Sequence, residues 1–396
     1  MDYALLKGSG CKVVPPDILK NRRWGMLGGG GYAIQLLSYC IANNISLPTY
    51  VFLPQPATMH FKGIICRPES ELTYAELDIV VIGSATYQYE ILTRVNQWVP
   101  ESVSVIDCSP FVLDSDNARY YATEYDLLNT EAPYCLFFDF NPAEHIKVWF
   151  QTYINKLAER GIKVLTLHPL HEVQQSLLKG AQDIYLWNGS RSEFYFLNAK
   201  LASLGIKPKF VECGFFPQRQ YFYIDEVGIN ANRYLADDDL SWVNEKHLEQ
   251  LSAIRNKFFN NIRPAHEYYD YIFVPLQMPN DSNVQNHSRF KKGMQEFIDF
   301  IESQYPHQDI VFKRHPKDIN QYTSRVGKFS DADSRALILA ANIIHGINST
   351  VLFEAALAGK TVIAEGDCLL KQHKNNIHHL IAAVIAKQQK VSHWDK

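Results

Sequence analysis

Short runs of branched and aromatic residues alternate with helical patterns along most of this chain. That alternation is its most constraining feature. In the first half, Tyr50–Leu53, Asp78–Gly83, Val103–Asp107, Cys135–Phe140 and Lys163–Leu167 read as strands. Between them, Tyr32–Asn43, Glu90–Trp98 and Ala143–Arg160 read as helices. Strands that alternate with helices predict a layered α/β domain with a mostly parallel sheet. The stretch from about 184 to 264 is less regular and ends in a predicted helix over Val243–Asn260. Alternation then resumes: strand Tyr271–Leu276, helix Ser288–Gln304, strand Asp309–Lys313, helix Asp333–Ala340, strand Ile343–Gly346, helix Ser349–Ala358 and strand Thr361–Ala364. The expectation is two Rossmann-like domains facing a cleft. The first is 1–265, including the irregular segment, the second is 266–380, and 381–396 forms a tail. With 396 residues, each domain has room for its own core.

Charge and cysteine content narrow the function. Lys plus Arg number 39 against 42 Asp plus Glu, with no dense basic stripe, which argues against nucleic acid as a partner. Seven cysteines are scattered singly with no CxxC, predicting free thiols in a reducing compartment. The first residues lack a signal-peptide pattern. The longest apolar runs, such as Leu77–Ser84, are too short to span a bilayer. The expected location is the cytoplasm, with any membrane role peripheral.

Three turns carry the chemistry. Phe312-Lys-Arg-His-Pro-Lys317 ends a predicted strand, and ligands of open α/β sheets sit beyond the carboxyl ends of strands. Lys313 and His315 there suit an anionic phosphate. Taken alone, the same residues also suit a solvated basic turn. Ile344-His-Gly-Ile-Asn-Ser-Thr350 follows another strand and opens a helix. Asn348, Ser349 and Thr350 would present hydroxyls and free N–H groups to an anion. Glu354, one turn on, would accept two ribose hydroxyls. The plainer alternative is an N-cap followed by a surface acid. After the first strand of this domain come Gln277, Asp281 and Ser282, polar groups that would face the same cleft or simply make the turn. Together the three turns predict a nucleotide site.

Other features carry less. Gly28–Gly31 is four glycines before a helix, without a full GxGxxG and without a convincing preceding strand. Asp237–Asp239 reads as an acidic cap rather than a metal site, and the histidines at 168, 171, 373, 378 and 379 form no ligand set. No metal and no cofactor is expected.

In their order and wording these motifs resemble the retaining β-Kdo transferases of bacterial capsule and O-antigen synthesis. The resemblance rests on Gln277, Asp281 and Ser282, on Lys313, His315 and Pro316, and on Asn348-Ser-Thr-Val-Leu-Phe-Glu-Ala355. It extends to Glu212-Cys-Gly-Phe215 and Asp225-Glu-Val-Gly-Ile-Asn-Ala-Asn232, and covers about the last half of the chain. It implies a GT-B-like glycosyltransferase that moves Kdo from CMP-β-Kdo to a lipid-linked bacterial surface glycan, with retention, at the inner membrane. Other modules of a larger synthase are implied partners. It also implies a carboxylate nucleophile at position 232. Asn232 stands there instead, and we read it as an inactivating substitution. Glu212 is the first candidate for the acceptor base, with His266 in reserve. Pro217 replaces a basic residue of the family, so Arg219 and Arg233 become candidates for holding the donor carboxylate. Two alternatives stay open: another cytidine-nucleotide transferase (a sialyltransferase or a CDP-glycerol glycerophosphotransferase), or a catalytically dead CMP-binding module.

Overall fold

The computed structural model describes residues 11–265, 270–279 and 281–391. The chain divides into two compact units, Met1–Lys209 and Phe210–Lys396.

The first unit holds a seven-stranded sheet. Its order is Lys12–Val13, Ser104–Asp107, Ile79–Ile82, Trp24–Leu27, Tyr50–Leu53, Ile64–Pro68 and His60–Phe61. Every neighbouring pair is parallel except the last. A further parallel set places Tyr134–Phe138 between Lys163–Leu167 and Ile184–Trp187. All residues of Ile79–Ile82 and Tyr134–Phe138 are buried, as befits strands covered on both faces. Trp24–Leu27 directly precedes Gly28, so the glycine run does follow a strand, contrary to expectation. Arg22, Arg23 and Gly25 hide that strand in the sequence. Arg23 stays outside, its N–H donating to Asp78, while all four strand residues are buried.

The second unit combines an antiparallel hairpin, Lys209–Cys213 with Tyr221–Asp225, and a five-stranded parallel sheet. The order of the latter is Lys328–Phe329, Ile310–Lys313, Ile272–Pro275, Ile343–Gly346 and Thr361–Ala364. Alternation along these strands feeds two cores. Phe273, Val311 and Ile344 face one, whereas Ile272, Val274, Ile310 and Phe312 face the other. Of the expected helix Ser288–Gln304 only Met294–Gln304 forms, and a separate helix, Ser282–His287, precedes it. Gly293 between them has φ 114°, a backbone state that favours glycine.

Sequence alone put the domain boundary at 265/266, whereas the compact units part at 209/210. The reason is packing. Phe216, Leu235, Leu240, Leu251 and Phe258 share a core with Leu352, Ala355, Ile381 and Val384. Arg255 Nε also donates to the Leu357 carbonyl at 2.6 Å, tying helix Glu245–Phe258 to the parallel sheet's own helix Thr350–Leu357. No helix among the described residues is long and apolar enough to cross a membrane.

Candidate functional site

In the second unit, a cavity of 690 Å³ opens at the carboxyl edge of the five-stranded sheet. Each strand that reaches it contributes the turn that follows. Leu276, Gln277 and Asp281 come after Ile272–Pro275, His315 and Pro316 after Ile310–Lys313, and Ser349 and Thr350 after Ile343–Gly346. Asp333, Ser334 and Arg335 follow the two-residue strand Lys328–Phe329. Glu354, Pro217, Gln218 and Phe258 also line the cavity. Its volume suits a small ligand.

One side presents hydrogen-bond donors that could take an anion. Ser349 caps helix Thr350–Leu357 with extended backbone, yet its hydroxyl makes no capping bond. Ser349 Oγ is buried without a hydrogen-bond partner among the described residues. The first N–H groups of that helix therefore have no side-chain acceptor from the cap, and they carry the positive end of the helix dipole. His315 stands across the adjoining turn. The Lys317 N–H donates to its Nδ1 at 3.2 Å, so the neutral ring carries its proton on Nε2 as a donor. Burial, helped by nearby Lys317, holds its pKa below the usual histidine value.

The other side is acidic and held in place by an ion pair. Asp333 caps helix Ser334–Ala340, accepting from the Arg335 N–H. It also grips the guanidinium through Nε at 3.2 Å and Nη2 at 2.9 Å. Hydrogen bonding to Arg335 lowers the Asp333 pKa and raises that of the arginine. Burial pushes the Glu354 carboxyl up to about 7, with Arg335 opposing and Asp333 adding to the shift. A carboxyl raised in the folded state is proton-poor sooner in the unfolded chain. Stability is therefore lost as pH rises from 4.5, the ordinary glutamate value, to about 7, and the loss stays constant above that. Glu354→Gln should remove this loss. Its melting temperature relative to the unaltered chain should climb between pH 4.5 and 7 and then level off. A difference that does not vary with pH would contradict the buried-carboxyl assignment.

Two expected donor residues act on the frame. Gln277 Nε2 donates to Asn348 Oδ1 and the Asn348 N–H donates back to Gln277 Oε1, both at 3.1 Å. This exchange locks the first and third turns together and leaves Asn348 off the cavity lining. Lys313 Nζ donates to the Ala332 carbonyl at 2.7 Å, anchoring the turn that carries Asp333. Asp281 lines the cavity and caps the next helix through the Asn283 N–H. The side chain of Ser282 and all of His266 lie outside the described residues.

The segment around position 232 forms a second constellation on the hairpin. Asp225 Oδ1 accepts from the N–H groups of Val227, Gly228 and Tyr234. A Cβ on Gly228 would lie 2.7 Å from the Asn232 carbonyl oxygen, so glycine is required for the loop to close there. Asn232 itself is exposed and ends a short helical turn, Asn230–Asn232. Arg233 is only 3% exposed, stacked 3.7 Å from the Tyr223 ring centroid and 3.5 Å from Asp225 Oδ2. Its Nε and Nη1 have no hydrogen-bond partner among the described residues, Nε meeting Asp225 only as an ion pair. Glu212 sits opposite Tyr223 in the ladder and accepts from the Cys213 N–H at 2.9 Å. Gln218, on the cavity wall, donates to Cys213 Sγ and links this turn to the cavity. Asn232, Glu212, Arg219 and Arg233 are not among the lining residues of the cavity. Asp333 and Arg335 are, and the sequence reading counted them only as a helix start.

Residues 223–374 match the family described as capsule polysaccharide biosynthesis protein. Protein FixF of Sinorhizobium fredii is 34% identical over 180 residues, which is 42% of this chain and 44% of that protein. The match thus spans less than half the length of this relative. Among solved structures, the β-Kdo 2,4 transferase of Thermosulfurimonas dismutans KpsC aligns at TM-score 0.50 with 16% identity, covering 67% of this chain and 94% of that one. The β-Kdo 2,7 transferase of the same protein aligns at 0.48 and 17% identity, covering 66% and 93%. The first of these likenesses shows a shared fold, the α/β architecture of GT-B type. The segment 223–374, which holds position 232 and the strand-end turns of the cavity, is the part of the chain that is similar to capsule polysaccharide biosynthesis proteins.

Proposed function

We propose that this chain is a retaining glycosyltransferase that takes Kdo from CMP-β-Kdo and delivers it to a bacterial surface glycan. The observation that carries the reading is the cavity itself. It has an anion-binding end at Ser349 and His315, and a carboxyl end at Glu354 suited to ribose hydroxyls. The similarity to the KpsC β-Kdo transferase supports Kdo as the sugar, and the similarity to capsule polysaccharide biosynthesis proteins supports a surface glycan as the acceptor.

In this reading the CMP phosphate rests on the helix N-terminus, the Ser349 hydroxyl and His315 Nε2–H. These donors stabilise the charge that develops as CMP leaves, so no divalent metal takes part. Retention follows from two displacements. A carboxylate at position 232 attacks the anomeric carbon and expels CMP; Asn232 cannot do so, and this step is blocked until Asn232→Asp restores the acid. The acceptor hydroxyl then attacks the glycosyl ester while Glu212 takes its proton. Arg233, buried beside Asp225, orients the loop that carries position 232. The acceptor is a lipid-linked glycan at the cytoplasmic face of the inner membrane, and the chain works there peripherally with other modules of a synthase.

Calorimetry with CMP, CDP, UDP and ADP tests the donor. CMP should bind more tightly than UDP and ADP. A preference for UDP or ADP would overturn the cytidine assignment.

A further inference from the structure

A second site lies in the first unit, at the carboxyl edge of the strands Tyr134–Phe138 and Ile184–Trp187. We propose that it binds a neutral sugar ring, with a sugar hydroxyl donating to His145 Nε2 and an apolar face of the ring against Trp149.

The site begins with Asp139, the residue after the first of these strands and fully buried. Its Oδ1 accepts from the Asn141 N–H at 2.9 Å and meets His145 Nδ1 at 2.7 Å. A carboxylate can only accept, so Nδ1 carries the proton. In the neutral ring, Nε2 is then a lone-pair acceptor. The side chain of His145 keeps 12% of its surface exposed. Its ring stacks flat on Trp187, centroids 4.4 Å apart and planes 12° apart. Trp187 ends the neighbouring strand, so two strand ends fix one imidazole.

The helix beyond is irregular at this spot. Pro142–His145 is regular, but Ile146–Phe150 forms a wide turn in which the Gln151 N–H bonds back to the Ile146 carbonyl. A regular helix resumes at Gln151. Such i to i+5 turns are rare and concentrate at functional sites. This one carries the half-buried Trp149, whose ring lies 6.2 Å from His145 and 5.6 Å from Trp187. Asp139 Oδ2 and Asn141 Oδ1 are buried without hydrogen-bond partners among the described residues, a desolvation cost that folding alone does not recover.

The chemistry selects the ligand. An anion is disfavoured, because Asp139 lies beneath the ring and Arg191, whose guanidinium lies 4.1 Å from the ring centroid of Phe140 beside His145, is already paired with Glu193 at 2.5 Å. A hydroxyl is the donor that an oriented imidazole acceptor requires, and indole presents an apolar face to the C–H side of a pyranose. This site needs neither CMP nor position 232. Only the choice of sugars common in bacterial glycans rests on the transferase reading.

Saturation-transfer NMR on the full chain, with methyl glycosides of galactose, glucose, mannose, rhamnose and N-acetylglucosamine, tests the proposal. At least one glycoside should bind without donor. Trp149→Ala and His145→Ala should each weaken it tenfold or more, and His145→Gln, which keeps an acceptor oxygen, should weaken it less than His145→Ala. CMP calorimetry on the same samples checks the fold and separates the two readings. Glycoside binding that behaves as stated while CMP fails to bind sinks the donor assignment alone. No binding by any glycoside, or affinities unchanged in both alanine variants, overturns the saccharide site. If His145→Ala does not fold, the Trp149→Ala comparison decides.

Discussion

Asn232→Asp should raise the rate of CMP release from CMP-Kdo in the presence of acceptor by roughly ten-thousand- to a million-fold, the scale on which removal of one member of a catalytic set is felt. An amide lacks the anionic oxygen that must form the glycosyl ester, and its carbonyl is a poor nucleophile. The change is nearly isosteric, and Asn232 is exposed, so the fold has little reason to respond. The loop is already set. Asp225 gathers three backbone N–H groups, and Gly228 makes room for the residue-232 carbonyl. A new carboxylate would also lie next in sequence to the buried guanidinium of Arg233, whose Nε and Nη1 lack hydrogen-bond acceptors among the described residues. Equal rates in the two forms would show that the nucleophile lies elsewhere.

His315→Ala should weaken CMP binding by about 1.5–3 kcal/mol, the range for a hydrogen bond to a charged group, or roughly ten- to hundredfold in affinity. The Lys317 N–H occupies Nδ1 and so directs the only ring donor, Nε2–H, away from the backbone. Alanine removes that donor and leaves the Lys317 N–H unpaired at the cavity edge. Calorimetry gives the affinity directly. An unchanged dissociation constant would take His315 out of the donor site.

Much of this geometry was legible because parallel strands announce themselves. Ile272–Pro275, Ile310–Lys313 and Ile343–Gly346 are apolar runs that stop at polar turns, and residues of those turns line the cavity. Asp333 and Arg335 were missed as cavity residues because their strand, Lys328–Phe329, is two residues long and carries no pattern. Arg233 reads in the sequence as a candidate for holding the donor carboxylate, with nothing to show that it is buried and stacked on Tyr223 beside Asp225. The wide turn at Ile146–Phe150 is silent for another reason. Apolar spacing over Ala143–Arg160 is that of a continuous helix, and one extra residue in a turn shifts no residue type. The boundary was misplaced because helix Glu245–Phe258 precedes the parallel sheet in sequence but packs on its helices in space.

Intact-protein mass spectrometry with peptide mapping, after CMP-Kdo is added to the unaltered chain and to Asn232→Asp, tests the central claim most directly. The account predicts a one-Kdo increment on the Asn232→Asp variant, carried by the peptide containing position 232, and none on the unaltered chain. An increment on another residue, or full transfer by the unaltered chain, would contradict it.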